Sequence, residues 1–120
     1  MNIISIYIPT TEQFCFQNYI LQKGIIIDEV FYLNEYRLQI ELNKFIFDEI
    51  EDHEFQYVVK KLGDFLGYSI IWADAHSLFK FLKELKVSFS IILDNDEGML
   101  IELEYLKNTT FESFLAWLAP

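Results

Sequence analysis

The sequence predicts an α+β domain with a mixed, mainly antiparallel sheet, two hairpins and three to four helices. Three observations lead there. Two pairs of segments alternate apolar and polar residues around a turn, which is the period of antiparallel strands with one wet face. Other segments space their apolar residues at helical intervals. Finally, 52% of the 120 residues are hydrophobic, with only four Gly and two Pro, so the chain can bury a core of its own without linkers or repeats. The predicted order is β-α-β-β-α-β-α-β-β-α in a single domain, 1–120.

Residues 2–8 are dominated by Ile and read as a buried strand. Thr10 and Gln13 have capping-box spacing, so a short helix follows from Thr11 to Gln22, stopped by Gly24. Residues 25–33 and 36–46 form the first hairpin, joined at Asn34-Glu35. In its second strand Tyr36, Leu38, Ile40 and Leu42 alternate with Arg37, Gln39, Glu41 and Asn43. The stripe Phe55, Val58, Val59, Leu62, Phe65 and Leu66 is helical, with Asp52 as N-cap and Gly67 just past the end. Tyr68–Ala73 is a short strand. Asp74 caps a helix whose stripe is Leu78, Phe81, Leu82 and Leu85, with Lys80, Lys83 and Lys86 toward its cation-favouring end. Residues 87–93 and 99–105 make the second hairpin around Asn95-Asp96-Glu97-Gly98. Thr109 and Glu112 open a terminal helix.

No motif names a reaction. Cys15 sits among Phe14, Phe16 and Tyr19 with no neighbour to lower its pKa, as expected of a buried structural cysteine. His53 lies in an acidic run and His76 near a helix start, but no second His stands at ligand spacing. Asp94-Asn95-Asp96-Glu97-Gly98 departs from a calcium loop, with Met99 at the sixth position and Tyr105 at the twelfth. There is no P-loop, dinucleotide fingerprint or nucleophile elbow. The expectation is therefore a protein without catalytic residues, metal or cofactor. The N-terminal segment lacks a signal peptide's basic start, and Pro9 cuts its apolar run short. No segment approaches the length of a membrane span. A cytoplasmic location is expected.

Charge is the informative signal. The net charge is −10, with 19 acids against 9 bases, which disfavours nucleic acid or an anionic membrane as a partner. Residues 48–54 carry five acids and no base, and residues 94–120 carry six acids and one base. The candidate partner-binding residues are therefore Asp48, Glu49, Glu51, Asp52 and Glu54 in the first patch. Asp94, Asp96, Glu97, Glu102 and Glu104 form the second, with the last two on the outward face of the second hairpin. Like charges brought together cost stability unless a cation offsets them. With 21 aromatic residues, some Tyr or Trp should also reach the surface beside the acids, as at binding hot spots.

In size, charge, lone cysteine and lack of an active-site motif, the chain resembles the small acidic immunity proteins of bacterial toxin–immunity pairs, including those of contact-dependent inhibition. That resemblance implies tight association with a basic protein, a toxin nuclease domain, and no turnover by the chain itself. Competing readings are a nucleic-acid mimic that inhibits a phage-defence nuclease, an enzyme centred on His53, and a small-ligand module lined by Tyr and Trp.

Overall fold

The computed structural model describes residues 2–119. Seven strands form one sheet: β1 (Ile3–Pro9), β2 (Ile25–Ile27), β3 (Val30–Leu33), β4 (Leu38–Leu42), β5 (Phe65–Trp72), β6 (Ile92–Asp94) and β7 (Leu100–Glu102). The helices are α1 (Gln13–Leu21), α2 (Ile46–Glu49), α3 (Asp52–Leu62), α4 (Ala75–Glu84), α5 (Leu103–Lys107) and α6 (Phe111–Leu118), with a 3-10 turn at Thr10–Glu12. The strand order is β2-β3-β4-β5-β1-β6-β7, and all six pairings are antiparallel.

The α+β class is as the sequence predicts, but the sheet is not mixed. Strands β5 and β6, joined through α4, do run in the same direction. Because β1 lies between them and pairs antiparallel with both, no parallel ladder forms.

Several boundaries differ from the sequence reading, among them the N-cap of α3, which is Glu51 rather than Asp52, and the second strand of the first hairpin, which covers Leu38–Leu42 rather than 36–46. The expected strand 25–33 folds back on itself, because Asp28 and Glu29 both take positive φ, 50° and 68°. Two such residues between the paired Ile27 and Val30 make the tight turn whose twist suits a hairpin. The helix expected to run to Leu66 ends at Leu62, where Gly63 at φ 74° stops it. Phe65 and Leu66 belong instead to β5. The second hairpin is short: Val87 and Phe89 lie outside β6, and the chain turns into α5 at Leu103. Capping of the terminal helix falls to Thr110, whose Oγ1 accepts from the Ser113 N–H at 3.1 Å, rather than to Thr109. The Thr10 capping box is also absent, since Pro9 precedes the 3-10 turn without a side-chain cap. Asp74 does cap α4, accepting from the Ser77 N–H at 2.8 Å. That bond and a second from the Ser77 hydroxyl to Asp74 Oδ2 at 3.0 Å hold its carboxyl below the usual carboxylate range.

The two faces of the sheet are covered unequally. One carries α1, α4, α5 and α6 over a main core that includes Ile4, Ile6, Ile8, Phe31, Ile40 and Ile70 from the strands. From the helices it receives Phe16, Ile20, Leu78, Phe81, Leu82, Leu106 and Phe114. The other face carries α2 and α3 at one end, over a second cluster of Tyr7, Ile46, Val58, Phe65 and Ile92. Leu62 is only partly buried there. Gly67 lets α2 settle onto this face, because a Cβ at that position would fall 2.9 Å from Ile46 Cγ1. The helix-free remainder of the face forms an open groove. Cys15 is exposed on α1, not buried as its aromatic neighbours suggest. Successive turns of a helix with little amphipathic character bury only Phe16 and Ile20. Among the described residues, no helix is long and apolar enough to cross a membrane.

Candidate functional site

On the sparsely covered face the strand register aligns a polar row. Ser5 of β1 pairs with Ser69 of β5 on one side and Asp94 of β6 on the other, and Ser69 pairs onward with Glu41 of β4. Tyr7, two residues along β1, points the same way, because side chains alternate along a strand. The helices α2 and α3 roof this end of the row, and between roof and strands lies a cleft of about 270 Å³.

The cleft joins the two acidic segments that the sequence separates. Glu49, Glu51 and Glu54 reach it from α2 and the start of α3, while Asp94, Asp96 and Glu97 reach it from the end of β6 and the following turn. No Lys or Arg is among its described lining residues. Six of the ten sequence-proposed acids therefore meet. Asp48 and Asp52 are exposed on the adjoining helices but do not line the cleft. Glu102 and Glu104 lie elsewhere: they share a small depression with Lys107, and Glu102 stands 3.9 Å from Lys61 Nζ. They do not share an outward strand face, since Glu104 is in the first turn of α5.

Two of the acids are not the solvated turn residues that the sequence suggests. Glu54 is only 6% exposed and Asp94 only 7%. Asp94 is well held: its Oδ2 accepts from the Tyr7 hydroxyl at 3.1 Å, and its Oδ1 accepts from the Asp96 N–H at 3.0 Å. Burial nevertheless raises its carboxyl above the usual range, against the downward pull of those two donors. Glu54 is poorly held, and its Oε2 is buried without a hydrogen-bond partner. Desolvation raises this carboxyl too, followed by the charge of Asp94, while the Glu51 backbone N–H pulls it down. Burial and the neighbouring Asp94 push the Tyr7 hydroxyl upward, so it remains a protonated donor.

The turn carrying Asp96 and Glu97 is fixed from below by Asn95. Its Oδ1 accepts from the N–H groups of Glu97 and Met99 at 2.8 and 3.1 Å, and its Nδ2 donates to the Trp117 carbonyl at 2.6 Å. Asp96 and Gly98 take positive φ to close the turn. Tyr7 and Asn95 are the site residues that the sequence reading missed. Ser5 and Tyr7 interrupting an Ile-rich strand at every second position were the available signal.

The cleft opens into the larger groove, about 650 Å³, with which it shares Ser5, Glu49 and Asp96. Ile3, Ile26, Val30 and Phe45 supply apolar walls there. The edge strand β2 presents three isoleucines, each about half exposed, and Phe45 and Phe47 stand out beside the acids at 67% and 57% exposure. The exposed aromatics beside the acids are therefore Phe45 and Phe47 rather than the Tyr or Trp that the sequence suggests; Tyr57 and Tyr105 are exposed but line neither cleft nor groove, and Trp117 is buried.

His53 is exposed in the first turn of α3, its Nδ1 lying 3.5 Å from Glu51 Oε2. With Glu54 these residues place three possible metal-ligand atoms within 4.8 Å of one another, the only such set among the described residues. Two of its three side chains, those of Glu51 and His53, are largely solvated. No protein family, curated protein or solved structure matches this chain.

Proposed function

We propose that this chain is a non-catalytic binding protein that neutralises a cationic bacterial protein, a toxin nuclease domain, by tight association in the manner of an immunity protein. One observation carries the reading: two acidic segments distant in sequence converge on a single base-free cleft, continuous with a larger groove that has both apolar and acidic walls. An acidic centre flanked by exposed Ile and Phe suits a protein surface rich in Lys and Arg, where charge steers the encounter and apolar contacts hold the complex. A nucleic-acid mimic calls for acids spread along a face like phosphates, whereas these acids concentrate at one end of it.

The test uses the product of the neighbouring reading frame, which this reading expects to be a basic nuclease domain. Association should be fast at low ionic strength and slow as the Debye length shrinks from about 30 Å at 0.01 M to about 8 Å at 0.15 M, with dissociation changing less. Replacing Glu49, Asp96 and Glu97 with Gln, Asn and Gln should slow association at low salt by about tenfold or more and weaken protection of cells expressing the nuclease. Association of that variant at the wild-type rate, with full protection, would overturn the acidic-interface reading.

A further inference from the structure

The cleft's depth says more about its ligand than its charge does. An acidic surface needs only diffuse counterions, but Glu54 is a carboxylate 6% exposed, with an oxygen that no donor among the described residues satisfies. A buried carboxylate without a paired donor costs folding free energy, and Asp94, also buried in the same cleft, adds repulsion. Both would be relieved by one cation that leaves water readily and reaches several separated acceptors. Among the described residues, Asp94 joins no set of three ligand atoms close enough for a metal ion. An ammonium is compact and strongly hydrated, whereas a guanidinium is planar, weakly hydrated and carries five donors in a fork.

We infer that the cleft between Glu54 and Asp94 seats the guanidinium of one arginine side chain supplied by the cationic protein. The inference rests on the proposed function above. Glu54 Oε2 is the vacant acceptor, and its carboxyl turns toward an incoming donor about a soft terminal torsion. Asp94 is kept in place by Tyr7 and Asp96, each engaging a different oxygen, so each oxygen retains a lone pair for the guanidinium. Glu49, Glu51, Asp96 and Glu97 form the charged surroundings that draw the arginine in.

The experiment follows the side-chain carboxyl carbons by NMR while the labelled protein is titrated with L-arginine methyl ester, L-lysine methyl ester or CaCl2. Arginine should give saturable shifts at Glu54 and Asp94 and bind more tightly than lysine. Glu54→Gln should weaken arginine binding about tenfold, equivalent to one charge-assisted hydrogen bond, whereas Glu102→Gln should leave it unchanged. Shifts that fail to saturate, that are equal in Glu54→Gln, or that saturate with calcium and not arginine would overturn the inference. Its fate separates from that of the proposed function. If Glu54→Gln binds the nuclease domain as the wild type does while the charge-depleted cleft variant does not, the arginine seat falls and the binding function stands. If the nuclease domain is not bound at all, the function falls, and the arginine titration alone decides the seat.

Discussion

On the face beneath α1, α4, α5 and α6, the strands contribute Ile4, Ile6, Ile8, Ile40 and Ile70, and nearly every side chain is buried. On the opposite face the same strands contribute Ser5, Ser69, Glu41 and Asp94, with a small apolar cluster only under α2 and α3. One surface is thus devoted to stability, and the other retains polar groups that would be discarded if stability were its sole purpose. Buried, incompletely satisfied polar groups of this kind are where a binding surface departs from an optimised core.

The sharpest test of that division compares two isoleucines that are both fully buried. Ile6 faces the main core and Ile92 the smaller cluster. Truncation of Ile6 to Ala should cost about 3–5 kcal/mol, through lost burial and an uncollapsed cavity. Ile92→Ala should cost about 2–3 kcal/mol, because the thin layer above it can settle into the space. Denaturant midpoints at unchanged slope would measure both. Equal costs would mean that the two faces are equally packed and the division is false.

Glu54→Gln should move stability the other way. Burial raises the folded carboxyl of Glu54 above its unfolded value, so the folded state holds a proton more firmly than the unfolded chain. The stability this contributes is complete below the ordinary carboxylate range, near pH 4, and is lost as pH rises through the raised folded value. At pH 7 the wild type therefore bears a penalty that Gln does not. The variant should be more stable there by about 1 kcal/mol, the scale of one unsatisfied buried group, and the two proteins should converge near pH 3.5. Urea melts at both pH values would show this. Lower stability of the variant at pH 7 would mean that Glu54 is satisfied by a partner and contributes to the fold.

The sequence made the α+β class and the acidic segments legible, because alternation and charge runs are local. What it concealed depends on contacts between distant segments. The turn at Asp28 and Glu29 has no Gly or Pro to announce it, so β2 and β3 merge into a single apolar run. The stripe that continues through Phe65 and Leu66 suits helix and strand equally, and only the positive φ of Gly63 divides them. The acids read as two patches of five, yet strand pairing across Ser5 and Asp94 and the seating of α2 on Gly67 select six of them for one cleft. Burial of Glu54 in the first turn of a helix was unreadable, since acids there are ordinarily solvated and explained by the helix dipole.

The smallest predicted effect isolates the cleft from charge in general. Glu102 lies outside it, paired with Lys61 at 3.9 Å, and both side chains are more than two-fifths exposed. Such a pair loses in side-chain entropy and screening most of what it gains by attraction, so Glu102→Gln should change stability by less than about 0.5 kcal/mol. That small change should shrink further in high salt. Glu54→Gln removes the same formal charge and makes the same isosteric replacement, but at a side chain only 6% exposed. If the two variants shifted the urea midpoint alike at pH 7, burial would play no part and the whole effect would come from lowering the net charge. A gain confined to Glu54→Gln places the strain in the cleft.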